Sequence, residues 1–143
     1  MGKLLVVVDM QKDFIDGALG TKEAVAIVPQ VVSKIKEFQQ AGDQIIFTKD
    51  THFENYMETQ EGKNLPVMHC IKGTEGHEIC EEIKAVINPE EYTVYEKLTF
   101  GSSEFAQDLK DGVYDEAESI TLVGLCTDIC VISNAMLCKT FLT

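Results

Sequence analysis

Basic residues are scarce in this sequence. It carries 12 Lys and Arg against 24 Asp and Glu, which gives a formal net charge of -12. A chain this acidic repels phosphate backbones and anionic lipid headgroups, and it has no basic stripe that would bind either of them. We therefore expect neither a nucleic-acid partner nor a membrane-surface partner.

A long apolar run is missing from the start of the chain, and so is a regular pattern of cysteines. The first apolar run extends from Leu4 to Val8 and ends at Asp9. This run is too short to span a bilayer or to form the apolar part of a signal peptide. The 5 cysteines are an odd number without regular spacing, so a framework of structural disulfides is not expected. Both observations favour a reducing, cytoplasmic location.

The sequence predicts a single α/β domain over residues 1–143. Its length and its 45% hydrophobic composition suit one core, and no repeat, low-complexity tract or flexible linker divides it. Four short runs rich in β-branched residues alternate with helical patterns, which is typical of βα units around a parallel sheet. The predicted strands are Leu4–Val8, Ile45–Thr48, Thr93–Tyr95 and Ile120–Leu125.

The clearest helical pattern covers Ala24–Ala41, where apolar residues recur at helical spacing and Gly42 follows as a C-terminal cap. Shorter helices are predicted around Glu78–Val86 and Ser103–Lys110, and a last helix is predicted to begin near Asp128. The segment 51–75 shows no periodicity. A loop of that length is often functional.

Reactive side chains follow all four predicted strands. They are Asp9 after the first strand, Asp50 and His52 after the second, Lys97 after the third, and Cys126 and Cys130 after the fourth. Each has a simpler explanation when taken alone, since an aspartate can cap a helix or begin a turn and a lysine can be solvated. Ligands of open α/β sheets bind beyond the carboxyl ends of the strands, so we expect one shared crevice.

Cys130 is the candidate nucleophile. It follows Thr127 and Asp128, either of which can cap the last helix, so its sulfur is expected in the first helical turn. The free N–H groups of that turn favour a thiolate, and a nearby Lys97 ammonium would lower the thiol pKa further. Asp9 could accept the thiol proton, which completes the pairing of nucleophile and base that covalent catalysis requires.

A second set of candidate residues lies on the long segment. Asp50 and His52 are followed by Glu61 and then by His69. Carboxylate and imidazole are ligands of zinc, iron and manganese, so the set predicts a divalent metal site in which Glu61 is the weakest member. The alternative is that these side chains never meet. His77 has no companion in the sequence, and we expect it at the surface.

Five motifs occur in order along the chain. They are VVVDMQKDF at 6–14, TKDTH at 48–52, PVMHC at 66–70, KLTFGS at 97–102 and GLCTDICV at 124–131. Together they resemble the cysteine hydrolases of the isochorismatase-like family, which contains the nicotinamidases, and the resemblance covers essentially the whole chain. It implies a three-layer α/β/α fold with a mostly parallel sheet.

The resemblance also implies a role for each site residue. Asp9, Lys97 and Cys130 match the catalytic triad, and Asp50, His52 and His69 match metal ligands, with zinc the first choice of cation and iron or manganese the alternatives. The metal of such enzymes is thought to hold the pyridine nitrogen of the substrate. The backbone N–H groups of Cys126 and Cys130 are the expected oxyanion donors, with a cis peptide before Cys126. The residues expected to bind the substrate are Phe14, Leu65 and Phe100.

The activity implied by the resemblance is hydrolysis of a small amide such as nicotinamide, which yields the acid and ammonia through a cysteine thioester. The segment Leu65–Met68 departs from this pattern, because nicotinamidases usually have a second aromatic residue there. Nicotinamide itself is therefore not assured as the substrate, and two alternatives stay open. One is a metal-free hydrolase of another C–N bond or of an isochorismate-like ether. The other, based mainly on the short C-terminus, is a truncated and catalytically inactive relative that binds a ligand or a partner.

Length is the larger departure from the family. The family sheet has six strands in the order 3-2-1-4-5-6, and only four strands are predicted before Thr143, so the chain is expected to lack the last two. Strand Ile120–Leu125 would then be an open edge beside an uncovered apolar face. We expect either that the natural chain continues past Thr143 or that a second copy covers this surface in a homo-oligomer.

Overall fold

The sheet positions three of the predicted site residues, Asp9, Asp50 and Lys97. The structure is a computed structural model, and it describes residues 2–97 and 102–125. Its strands are β1 (Gly2–Val8), β2 (Gln44–Asp50), β3 (Thr93–Lys97) and β4 (Ala117–Gly124). All three pairings are parallel, and the order is β3-β2-β1-β4. This is the 3-2-1-4 part of the expected family order, so the α/β fold class is confirmed.

The central strand β1 is buried on both faces. Residues 4–8 are at most 1% exposed, as in a parallel sheet covered on both sides. Leu5 and Val7 belong to the core beneath the long helix, whereas Leu4, Val6 and Val8 belong to the core on the opposite face. Two apolar cores on one sheet produce the three-layer arrangement.

The long helix α2 (Lys22–Ala41) covers the first of these faces. Its N-cap is Thr21, whose hydroxyl oxygen accepts a hydrogen bond from the Ala24 N–H at 3.0 Å. Its C-cap is the predicted Gly42, which adopts the left-handed conformation with φ 74. The buried residues of this helix recur at three- and four-residue spacing, as the sequence predicted: Ala24, Val28, Val31, Ile35 and Phe38.

The remaining helices within the described ranges are short. They are α1 (Lys12–Ile15), α3 (Gln60–Asn64), α4 (Glu81–Lys84) and α5 (Ser103–Lys110). The last of these has the predicted bounds, α4 is shorter than predicted, and α1 was not predicted. The segment 51–75 also contains the 3-10 turn Tyr56–Glu58 before α3, so it is more ordered than its lack of periodicity indicated.

Several predictions concern residues outside the described ranges. They are Phe100, Cys126, Cys130, the cis peptide before Cys126 and the helix from Asp128. Within residues 2–97 and 102–125, no helix is both long enough and apolar enough to cross a bilayer.

Candidate active site and metal centre

Asp9 and Lys97 form a buried ion pair at the carboxyl end of the sheet. The Lys97 Nζ lies 2.8 Å from Asp9 Oδ2, and the two side chains are 1% and 0% exposed. The alternative of a solvated Lys97 therefore does not hold. The parallel strands β1 and β3 lie on either side of β2 and end at the same edge of the sheet, and this shared edge brings together two residues that are 88 positions apart.

The backbone at the end of β1 holds the Asp9 carboxylate in place. Asp9 adopts a left-handed conformation with φ 52, which is uncommon for a residue other than glycine. Its N–H donates to the Thr48 carbonyl at 3.1 Å, and the Thr48 hydroxyl donates to Asp9 Oδ1 at 2.8 Å. Gly124 permits the close approach of β4, because a Cβ there would overlap the carbonyl oxygen of Val8.

Four potential metal ligands converge beside this pair. One ligand atom from each of Asp50, His52, Glu61 and His69 lies within 4.8 Å of the other three. Asp50 Oδ2 is 2.9 Å from His52 Nε2 and 3.4 Å from His69 Nε2. Glu61 Oε2 is 3.3 Å from His52 Nε2 and 3.8 Å from His69 Nε2. The structure thus brings together the four residues that the sequence analysis selected, including its weakest candidate.

The imidazole of His69 is oriented for metal binding. Its Nδ1 donates to the Val67 carbonyl at 2.7 Å, so Nε2 points toward the other ligands. Cys70, which directly follows His69, is held by Asp13, because Asp13 Oδ2 accepts a hydrogen bond from the Cys70 N–H at 2.8 Å. Phe14, an expected substrate contact, packs against the His69 ring with 5.5 Å between the ring centroids.

Gln11 anchors Asp50, although the sequence analysis gave it no role. It is fully buried, and its side-chain amide pairs with the Asp50 backbone. The Gln11 Nε2 donates to the Asp50 carbonyl at 2.9 Å, and the Asp50 N–H donates to Gln11 Oε1 at 2.8 Å. The sequence signal that could have indicated this role is the position of Gln11, two residues after Asp9 and inside the first motif.

The electrostatics of the site keep Asp50 ionised. Burial opposes its ionisation, but hydrogen bonds from His52 and His69, together with the Lys97 charge, hold the pKa of Asp50 well below its ordinary value. Burial also opposes protonation of His69, and its hydrogen bonds to Asp50 and Val67 outweigh this and raise its pKa. Lys97 Nζ lies 3.9 Å from Asp50 Oδ1, so the ion pair and the metal-ligand set are adjacent.

The expectation that His77 lies at the surface was wrong. It is 3% exposed, and its Nε2 lies 2.9 Å from the Thr51 hydroxyl and 3.4 Å from Glu96 Oε1. Its carbonyl accepts a hydrogen bond from Gln11 Nε2 at 2.8 Å. The chain around His77 folds back against Thr51, just after the end of β2. Local sequence cannot predict a contact between residues so far apart in the chain. Burial, followed by the Lys49 charge, lowers the His77 pKa.

Leu65, a second expected substrate contact, lies on an exposed part of the long segment. Its side chain is 41% exposed, and three further apolar residues of the same segment are similarly exposed: Phe53, Met57 and Met68. The segment that carries Glu61 and His69 therefore has an apolar outer edge. Phe100, the remaining expected substrate contact, lies outside the described residues.

Two of the five cysteines are poor candidates for a nucleophile. Cys70 and Cys80 are buried free thiols, and burial is the main cause that raises the pKa of both. Cys126 and Cys130 lie outside the described residues, so the approach of the Cys130 sulfur to Asp9 and Lys97 stays a prediction.

Comparison with known proteins identifies the family. The model of the Isochorismatase domain matches residues 3–139. The chain belongs to the isochorismatase family. The family protein PncA of Bacillus subtilis (strain 168) is 30% identical, over 95% of this chain and 78% of its own length. These matches confirm the resemblance drawn from the five motifs, and the chain is an isochorismatase-family hydrolase.

Solved structures of this family share the fold. The pyrazinamidase of Pyrococcus horikoshii, solved in complex with zinc, has a TM-score of 0.79 and 28% identity, over 99% of this chain and 80% of that one. The pyrazinamidase/nicotinamidase of Streptococcus mutans UA159 has a TM-score of 0.85 and 27% identity, over 99% of this chain and 81% of that one.

Proposed function

We propose that this isochorismatase-family hydrolase cleaves a small aromatic or cyclic amide, such as nicotinamide, to the acid and ammonia. The nucleophile is Cys130, and a divalent cation positions the substrate. One observation carries the proposal: the buried Asp9–Lys97 pair lies directly beside four convergent metal ligands, with Lys97 Nζ 3.9 Å from the Asp50 carboxylate. Similarity to pyrazinamidases and nicotinamidases supports the choice of an amide.

The described residues have distinct roles in this reaction. Thr48 and Lys97 bind opposite oxygens of the Asp9 carboxylate and fix its orientation. A carboxylate fixed in this way can take the proton of the Cys130 thiol and later deliver it to the leaving nitrogen. The Lys97 ammonium also favours a thiolate in the same crevice.

The reaction then proceeds through two acyl transfers. The Cys130 sulfur attacks the amide carbon, and the backbone N–H groups of Cys126 and Cys130 receive the oxyanion. The C–N bond breaks, and the nitrogen takes the proton held by Asp9 and leaves as ammonia. Water then attacks the thioester, the C–S bond breaks, and the acid leaves as the thiol is restored.

The four ligands fit a divalent cation. Zinc bonds of about 2.1 Å place neighbouring ligand atoms of a tetrahedral site about 3.4 Å apart. The carboxylate–imidazole distances in this set are 2.9, 3.3, 3.4 and 3.8 Å. Two imidazoles and two carboxylates suit zinc, iron or manganese. Asp50, His52, Glu61 and His69 would hold the cation, which would act as a Lewis acid toward a ring nitrogen of the substrate only if it adds a further coordination position beyond these four.

An ammonia assay tests the proposal. The purified chain is incubated with a panel of small amides headed by nicotinamide, before and after chelation and with metal restored. We expect ammonia release that Cys130→Ala abolishes and Cys70→Ala preserves, because Cys70 is a buried thiol with a raised pKa. Ammonia release that survives Cys130→Ala would refute the mechanism.

The same assay separates the alternatives. Full activity after chelation would refute the role of the metal and favour a metal-free hydrolase. A panel that yields no ammonia would refute amide hydrolysis and favour a relative that binds a ligand or a partner.

A further inference from the structure

Tyr56 lies inside the metal centre, although no step of the proposed reaction uses it. The residue is 0% exposed. Its ring meets both imidazoles edge-on, with centroid distances of 4.7 Å to His52 and 5.1 Å to His69. The two imidazoles are themselves 4.8 Å apart, so the three rings form one packed group. A tyrosine placed here can influence the geometry of the ligands.

The hydroxyl of Tyr56 reaches the segment that carries Glu61. It donates to the Leu65 carbonyl at 2.8 Å, and it lies 3.4 Å from Glu61 Oε2. A phenol hydroxyl keeps its proton at neutral pH, and it can donate this single hydrogen to only one of the two oxygens at a time. The shorter distance assigns it to the Leu65 carbonyl, with Glu61 Oε2 as the second acceptor within reach.

The backbone of Tyr56 binds the same segment a second time. The Thr59 hydroxyl donates to the Tyr56 carbonyl at 2.6 Å and accepts the Gly62 N–H at 3.0 Å, which caps α3. A Cβ at Gly62 would overlap the Tyr56 carbonyl oxygen, so only glycine permits this approach. Tyr56 thus holds α3 through its hydroxyl at one end and through its carbonyl at the other.

Glu61 has more need of such support than Asp50 or His69. Asp50 is anchored by Gln11 and His69 by Val67, whereas the Glu61 side chain is 26% exposed on a five-residue helix. Outer hydrogen-bond partners orient the ligands of metal sites and influence affinity. We propose that Tyr56 is a positioning residue that fixes Glu61 as the fourth ligand of the divalent cation. This inference rests on the metal site of the proposed function.

A double-mutant cycle on metal binding tests the inference. Zinc affinity is measured by competition with a chromophoric chelator for the wild type, Tyr56→Phe, Glu61→Ala and the double variant. Tyr56→Phe keeps the ring against both imidazoles and removes only the hydroxyl. We expect about tenfold weaker zinc binding in Tyr56→Phe, the lower end for loss of an outer partner. In the Glu61→Ala background, the same change should have no effect on affinity.

A spectrum and a control variant separate positioning from a general structural role. The visible spectrum of the cobalt-loaded protein reports the ligand set, and we expect Tyr56→Phe to shift it toward the spectrum of Glu61→Ala. Tyr92→Phe is the matched control, because Tyr92 packs against Phe47 on the core under α2. It should leave both readouts unchanged. If Tyr56→Phe fails to fold, Thr59→Ala replaces it in the cycle, with the same expected dependence on Glu61.

The outcomes distinguish the two proposals. The inference is overturned, and the metal site stands, if the wild type and Tyr56→Phe bind zinc with the same affinity. The same conclusion follows if Tyr56→Phe lowers the zinc affinity equally in the wild-type and Glu61→Ala backgrounds. If the wild type binds neither zinc nor cobalt, the metal part of the proposed function fails, and the inference fails with it.

Discussion

Replacing Lys97 with Met is expected to destabilise the fold as well as to stop the reaction. The substitution leaves the Asp9 carboxylate buried without the ammonium that lies 2.8 Å away. Both side chains are at most 1% exposed, so water cannot take the place of the cation. Removing one partner of a buried ion pair costs about 3–5 kcal/mol. That is a large fraction of the roughly 5–15 kcal/mol by which a typical domain is stable.

Urea denaturation of four proteins measures this cost. They are the wild type, Lys97→Met, Asp9→Asn and the double variant. We expect the double variant to be less destabilised than the sum of the single variants, because it no longer buries a lone charge. Lys72→Met is the control, since the Lys72–Glu96 pair is exposed and its loss should cost less than about 1 kcal/mol.

Additive effects would refute this reasoning. If the double variant lost the sum of the two single losses, Asp9 and Lys97 would not be coupled. A cost below about 1 kcal/mol for Lys97→Met would likewise mean that water reaches the carboxylate.

Two further predictions test the parts of the fold that hold the site. Gly124→Ala forces a Cβ against the Val8 carbonyl at φ 133, so we expect a loss of about 1–3 kcal/mol or more in urea denaturation. Gly42→Ala, at φ 74 with no atom within 4 Å of the added Cβ, should cost less, and equal losses would contradict the overlap at Gly124. For His77, burial lowers the folded pKa below the ordinary 6.5, so below that pH the unfolded chain takes up a proton that the folded protein resists. The free energy of unfolding should therefore fall as the pH drops from about 7.5 to about 5.5, and it should fall less in His77→Gln. Equal losses in the two proteins would show that His77 is not the titrating group.

The elements that the sequence predicted well are those with strong local patterns. The long helix is marked by its apolar spacing and by Gly42, and the strands are marked by β-branched runs. The strand order followed from the resemblance to the family. Asp9, Asp50 and Lys97 could be grouped because parallel strands end at a common edge.

The residues that the sequence did not reveal act through contacts distant in the chain. Gln11 reaches Asp50 across 39 positions and His77 across 66, and local periodicity cannot predict either contact. Tyr56 lies in a segment without periodicity, and its closeness to two imidazoles depends on how that segment folds back. The helix α1 is too short for a period of 3.6 residues to show.

The most direct test of covalent hydrolysis by Cys130 is the mass of the peptide that contains it, after turnover on an accepted amide is quenched with acid. We expect that peptide to gain the mass of the substrate minus ammonia, and the gain to be absent from Cys130→Ala. An acyl group on a different residue, or continued ammonia release by Cys130→Ala, would contradict the mechanism.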